Sequence, residues 1–354
     1  MKPNIYIGSN SIEELGHLYP NRNFHLWHIP EIDNGLLRNI KSNLGGRILS
    51  QQTYHYGMPE LNQVASMHEQ FSLTNRDPHS VILGIGGGSL MDFAKVIRFT
   101  TLEKNWFKSQ LDSPINVIPD FVNKHPLILA PTTAGTGSEV TGTATIWDFN
   151  SHKKHSFFGE EVYADEAIID HQLCFGAPWE LTRDSGLDAL SHAIESIWNK
   201  NATADTRDQA IKAIQKICIN LPLLHANINH PEARKEISEA SLLAGLAMAK
   251  TQTSLVHALS YGETITHKFS HGFACAIWLP NVLKIAKELP NQNLMNDSLE
   301  LALGQHLSSP KALFDWIKAL GIPAYDPDHL TQEQIVKIEQ AKLSSRGKNF
   351  LGSN

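Results

Sequence analysis

The sequence predicts an α/β half built on a parallel sheet, followed by an all-helical half. Three observations carry this reading. In the first half, apolar runs such as Ser80 to Ile85 and Leu127 to Ala130 stop at Gly or Pro, as strands buried on both faces do. Between those runs Leu90, Phe93, Ala94 and Ile97 recur at helical spacing, and strand alternating with helix implies a parallel sheet covered on both sides. From Glu180 onward strand-like runs nearly vanish, and long helical stripes replace them.

In chain order, Ser80–Ile85 is a strand and Ser89–Phe99 the helix that follows it. Leu127–Ala130 is the next strand, and Ala144–Trp147 and Ala167–Ile169 read as further members of the sheet. The turn Phe175-Gly176-Ala177-Pro178 separates the halves, giving residues 1–175 and 176–354. Beyond it, Ala210, Ile214, Ile217 and Leu221 form one helical stripe and Ile237 to Met248 another. Thr331 and Gln334 make a capping-box pair that opens a last helix.

Composition narrows the function classes. With 42% hydrophobic and 19% charged residues the chain has ample core material and no signature of disorder. A formal charge of −6 without a basic stripe argues against nucleic acid as a partner. No apolar run approaches the ~20 residues that span a bilayer, and the first eight residues lack an apolar leader core. Cys174, Cys218 and Cys275 are too few and too scattered for a disulfide framework, which fits a reduced cytoplasm.

Two loops suggest a nucleotide. Gly84-Ile-Gly-Gly-Gly-Ser-Leu-Met-Asp-Phe-Ala-Lys95 follows a strand and opens a helix, where glycines let the backbone approach a pyrophosphate and the helix N-terminus offers free N–H groups. The Rossmann fingerprint is incomplete, since Ser89 stands at its third glycine, but a bare turn would need fewer glycines. Pro131-Thr-Thr-Ala-Gly-Thr-Gly-Ser-Glu139 also follows a strand, and open α/β sheets bind ligands at that edge.

The second half suggests a metal. Asp188 and His192 lie four apart in a helical stretch ending at Glu195, so both side chains share one face. With 18 histidines in 354 residues such a pair arises by chance about one time in twenty, so it needs company. His257 and His271 could supply it, and spacing alone does not exclude His267. One carboxylate with three imidazoles suits Fe(II) or Zn(II) and leaves a position for substrate.

Taken together, Gly86 to Lys95, Pro131 to Glu139, Gly186 to Glu195 and the pair His257 and His271 resemble the iron-containing (group III) alcohol dehydrogenases, in the same motif order over residues 80–290. The resemblance implies a Rossmann-like dinucleotide domain plus an all-α metal-binding domain, a dehydroquinate synthase-like architecture. It implies Asp188, His192, His257 and His271 as ligands of Fe(II), with Zn(II) as the other candidate. It places cofactor contacts on Gly87, Gly88, Ser89, Asp92, Thr132, Thr133, Ser138 and Lys154, and it implies a homodimer or larger assembly. Two positions depart from the family pattern: Tyr261 replaces a usual His, and Ser270 a frequent Pro. The proton relay would then fall to Tyr261 or His267.

The expected reaction is reduction of a small aldehyde to a primary alcohol by NAD(P)H. Glu31 or Asp33 after the second strand, with no basic residue nearby for a 2′-phosphate, points to NAD(H) over NADP(H). The turn Lys250-Thr-Gln-Thr-Ser254 is polar where related enzymes are apolar, which makes Lys250, Gln252 and Thr253 candidates for holding an anionic substrate. That turn, with His257 to Tyr261 and Lys153 to Ser156, resembles the phosphonoacetaldehyde reductase branch, which forms 2-hydroxyethylphosphonate. Lys268, Arg346 and Lys348 are further basic candidates. Two other readings stay open: a dehydrogenase of a small diol or simple primary alcohol, and a non-catalytic nucleotide- or metal-binding protein.

Overall fold

Val81, Ile82, Leu83 and Ile85 are all fully buried, which is the environment of a strand flanked on both edges and covered on both faces. The computed structural model describes residues 3–353 apart from 56, 76, 102, 104, 112–120 and 152. Residues 1–133 with 138–176 form one compact unit, and residues 134–137 with 177–354 form another.

Among its described residues the first unit contains ten strands: β1 (Asn4–Ile7), β2 (Phe24–His28), β3 (Ile48–Thr53), β4 (Val81–Gly86), β5 (Phe99–Thr100), β6 (Asn123–Lys124), β7 (Leu127–Pro131), β8 (Thr143–Asp148), β9 (Lys153–Phe158) and β10 (Glu166–Ile169). Six of them make one all-parallel sheet in the order β1-β10-β7-β4-β2-β3. Its helices are α1 (Asn34–Leu44), α2 (Leu61–Thr74), α3 (Gly88–Ile97) and α4 (Trp106–Leu111). Alternate strand residues feed opposite cores. Ile82, Leu127 and Leu129 pack with Phe93 and Ile97, whereas Val81, Leu83, Ile85 and Ile128 pack with Ile40 and Leu44.

Two expectations are corrected. Ala144–Trp147 is a strand but not a member of the parallel sheet, because β8 pairs antiparallel with β9 across a short turn. Asp148 closes that turn by accepting from the amides of Asn150 and Ser151, and a hairpin so short cannot return the chain in parallel. The helix after β4 stops at Ile97 rather than Phe99, because Phe99 and Thr100 pair antiparallel with β6.

The second unit is helical: α5 (Trp179–Ile197), α6 (Ala204–Ala226), α7 (Pro231–Thr251), α8 (Leu255–His267), α9 (His271–Lys287), α10 (Asn293–Leu307), α11 (Pro310–Ala319) and α12 (Gln332–Lys342). Ala210, Ile214, Ile217 and Leu221 of α6 are fully buried against Leu190 and Ile194 of α5 and Ile237 of α7. Thr331 and Gln334 form the reciprocal capping box at the start of α12. Among the described residues, no helix is long and apolar enough to cross a membrane.

Candidate metal centre and nucleotide loop

Helical periodicity puts Asp188, His192 and Glu195 on one face of α5, at i, i+4 and i+7. All three are buried. His257 lies in the first turn of α8, and His271 is the first residue of α9. The Asp188 Oδ1 atom is 3.8 Å from His192 Nε2, 3.5 Å from His257 Nε2 and 3.8 Å from His271 Nε2. Ligands of a tetrahedral ion with bonds near 2.1 Å sit about 3.4 Å apart, so these separations match edges of such a polyhedron.

Two further observations fit an ion. Asp188 Oδ1 and His257 Nε2 are buried with no hydrogen-bond partner among the described residues, a costly arrangement unless a cation takes the lone pairs. Glu195 Oε2 accepts from His257 Nδ1 at 2.7 Å, which fixes the tautomer that presents Nε2. The carboxylate of Glu195 also accepts from the amides of Ser254 at 2.7 Å, Val256 at 2.5 Å and His257 at 3.3 Å, so it caps α8 as well. The donor set therefore fits a divalent ion of the iron or zinc type.

Electrostatics favour the ligating forms of Asp188 and His192. Burial pushes the Asp188 carboxyl up, but the imidazoles of His192, His271 and His257 outweigh it and hold the group well below the usual carboxylate range. Burial pushes His192 down to about 4, against the pull of Asp188, so its ring is neutral and able to ligate.

Gly272 explains how His271 arrives. A Cβ on that glycine would lie 1.8 Å from the Asp184 carbonyl oxygen and 3.0 Å from Asp188 Cβ, so only glycine lets α9 begin against α5. Cys275, one turn along α9 from His271, was not among the sequence candidates. Its ligand atom and those of Asp188, His257 and His271 all lie within 4.8 Å of one another. The i,i+4 spacing from His271 was the available signal, as i+7 from Asp188 was for Glu195.

In the first unit, Gly87 caps α3 and Gly88 opens it, leaving the first-turn amides of Gly88, Ser89 and Leu90 outside the helix's own ladder. A Cβ at Gly86 would meet Ile29 and Leu90 at 2.9 Å, so this glycine serves strand–helix packing. At Gly87 a Cβ would lie 3.3 Å from Thr133 Oγ1, which brings the two sequence-predicted loops together. Thr132 Oγ1 is buried with no hydrogen-bond partner among the described residues.

Asp92 and Ser138, both expected at the cofactor, are bonded to each other. Asp92 accepts from Ser138 Oγ at 2.7 Å and from the Thr145 amide at 2.8 Å, while the buried Lys95 donates to Ser138, Thr141 and the Thr143 carbonyl. Both carboxylate oxygens of Asp92 are thus engaged inside the protein, and the pair braces the loop. Lys154 lies with its ammonium 5.2 Å from the centre of the Trp147 ring. Asp33 accepts from the Leu36 amide as the cap of α1, and Glu31 is exposed.

The substrate candidates differ in their surroundings. Lys250 forms an ion pair with Asp205, and the two side chains are 35% and 60% exposed. Its charge is already answered on the solvent side, so it is not an unpaired cation waiting for an anion. Gln252 is exposed and caps α7 at a φ of 62°, with its carbonyl accepting from Asn199. Thr253 is held by Arg346 Nη1 at 3.3 Å and Asn349 Nδ2 at 2.9 Å. His267 is half-exposed at the end of α8, 3.6 Å from Glu263, rather than joined to the Asp188 cluster. Tyr261 stands one turn after His257 on α8.

Comparison with known proteins agrees with this geometry. The model of the iron-containing alcohol dehydrogenases matches residues 2–171, and the C-terminal model of the same family matches residues 182–343. Sulfoacetaldehyde reductase of Bilophila wadsworthia is 34% identical over 200 residues, covering 56% of this chain and 51% of that protein. The match with it thus spans about half of that relative's length. A 1-propanol dehydrogenase of Salmonella typhimurium is 29% identical over 82% of this chain and 74% of its own. The crystal structure of sulfoacetaldehyde reductase from Bifidobacterium kashiwanohense in complex with NAD+ superposes with a TM-score of 0.84 at 26% identity, covering 98% of this chain and 92% of that one. With both halves matched, the chain belongs to the iron-containing alcohol dehydrogenase family.

Proposed function

We propose that this chain reduces a small aldehyde carrying a tetrahedral anion to the corresponding primary alcohol, phosphonoacetaldehyde to 2-hydroxyethylphosphonate being the reaction its sequence favours. The observation that carries the oxidoreductase reading is the convergence of Asp188, His192, His257 and His271 with Glu195 behind His257. When bound, the divalent ion supplies Lewis-acid polarisation of a carbonyl oxygen, and reduced nicotinamide supplies the hydride.

The chain's own residues do the rest. Glu195 keeps the proton on His257 Nδ1 and aims Nε2 at the site. The amides at the start of α3 and the unbonded Thr132 hydroxyl offer donors to the nucleotide, and NAD(H) is favoured by the acidic residues Glu31 and Asp33 that follow β2. Tyr261, on the same face of α8 as His257, is the side chain we assign to pass a proton to the product oxygen.

Two relatives act on named substrates that bracket the choice, sulfoacetaldehyde and 1-propanol. The second supports the alternative of an uncharged primary alcohol. Following NADH oxidation with phosphonoacetaldehyde, sulfoacetaldehyde and propanal decides between them, and repeating it with NADPH sets the cofactor preference. A higher kcat/KM for propanal than for both anions overturns the anionic reading. Full activity after exhaustive chelation overturns the metal role.

A further inference from the structure

Gln252 to Ser254 is the short link between α7 and α8, and its Ser254 amide is bound to Glu195, the carboxylate that holds His257. The chain after α12 returns to this link. Asn349 Nδ2 donates to the Thr253 carbonyl, the Lys200 amide donates to the Asn349 carbonyl, and Phe350 is buried edge-on against Trp198. Gly347 makes the return turn possible, since a Cβ there would lie 1.9 Å from the Ala341 carbonyl oxygen. Arg346 is thereby fixed over Thr253, with Nη1 donating to Thr253 Oγ1 at 3.3 Å.

A guanidinium has five N–H donors, and among the described residues Arg346 has that one hydrogen bond and no carboxylate within ion-pair distance. Glu195, whose charge acts on Arg346, already accepts from His257 Nδ1 and three backbone amides. Burial pushes the Arg346 guanidinium down, while Glu195 and Cys275 pull it up. The hydrogen bond to Thr253 sets Arg346 one residue from Ser254, whose amide is bound to the Glu195 carboxylate that holds His257. A partly buried cation with free donors is costly to hold unless an anion answers it, and its planar fork fits two oxygens of one tetrahedral head.

We propose that Arg346, with Thr253 Oγ1, forms the subsite for the anionic head of the substrate, a phosphonate or a sulfonate. This rests on the anionic-aldehyde reading above and assigns the specificity that Lys250, paired with Asp205, does not supply.

The test compares wild type, Arg346→Met and Arg346→Lys on phosphonoacetaldehyde, sulfoacetaldehyde and propanal, with metal content and melting temperature measured alongside. Loss of one charge-assisted contact should raise KM for the anionic aldehydes about 10- to 150-fold in Arg346→Met. The kcat, the propanal KM and the metal content should hold, and Arg346→Lys should recover part of the loss. The anion with the lower wild-type KM identifies the head group. An equal rise for propanal, or no rise for either anion, overturns the subsite while leaving the anionic reading standing. A wild-type preference for propanal overturns both. If Arg346→Met does not fold, Arg346→Lys with methylphosphonate as competitive inhibitor decides: weaker inhibition in a folded variant supports the subsite, and unchanged inhibition overturns it.

Discussion

Glu195 and His257 are joined by a 2.7 Å hydrogen bond from Nδ1, and the opposite ring nitrogen of His257 lies 3.5 Å from Asp188. One carboxylate therefore sets the direction of one imidazole, and through it the shape of the candidate metal site.

Glu195→Gln removes that charge while keeping the volume. An amide can offer its oxygen to Nδ1–H only by turning an NH2 group toward backbone amides that are themselves donors. Metal affinity should fall about 10- to 100-fold, read by competition with a chromophoric chelator. Unchanged affinity would mean that Glu195 serves only to cap α8.

Gly87→Val places a branched side chain at the start of α3, where a Cβ already meets Thr133 Oγ1 at 3.3 Å. Calorimetry should show weaker NADH binding, with metal content unchanged. If NADH binds a folded variant as before, the glycine run is there for packing alone.

Lys250→Met breaks an exposed ion pair with Asp205. Such pairs contribute about 0–1 kcal/mol, so the melting temperature should move little. The kcat/KM for phosphonoacetaldehyde should stay at the wild-type value. A selective loss on the anionic aldehyde would return Lys250 to the substrate site.

His125 gives a pH dependence outside the metal site. Burial pushes it down to about 4, and it sits between the Ser80 carbonyl at 3.0 Å and Asn75 Nδ2 at 3.2 Å. With Nδ1 donating to the carbonyl, Nε2 must be bare to accept from Asn75, so the folded state favours the neutral ring. The unfolded chain takes up a proton near pH 6.5 that the folded chain refuses until about 4. Stability is therefore level above pH 6.5 and falls as pH drops toward 4, by at most about 1.4 kcal/mol per pH unit for this group. Urea titrations should show a shallower fall in His125→Gln, and an identical slope would rule His125 out.

What could be read from the sequence follows physical lines. Val81–Gly86 and Leu127–Pro131 lie inside the sheet, so burial on both faces wrote them as apolar runs. The edge strand Ile48–Thr53 has one neighbour and carries Ser50, Gln51 and Gln52, so hydropathy hides it. Ala144–Trp147 has the same apolar texture as a sheet strand, and only its partner β9 distinguishes it. At the site, Asp188 with His192 was legible because a helix turns local spacing into a shared face. Arg346 on Thr253 was not, since 93 residues separate them and no periodicity links a chain end to a helix junction.

The excursion of residues 134–137 has a consequence for modularity. Those four residues belong with the helical unit, although the residues on both sides of them, Thr133 and Ser138, belong with the sheet unit. A Cβ at Gly135 would strike Ser185 at 2.6 Å, and one at Gly137 would strike Gly245 at 2.6 Å, so this tetrapeptide is fitted to α5 and α7. Exchange of halves between relatives at a single junction near Gly176 would carry a foreign tetrapeptide into the recipient's helices. Chimeras of this family should need three junctions, with residues 134–137 inherited from the parent that supplies α5 and α7.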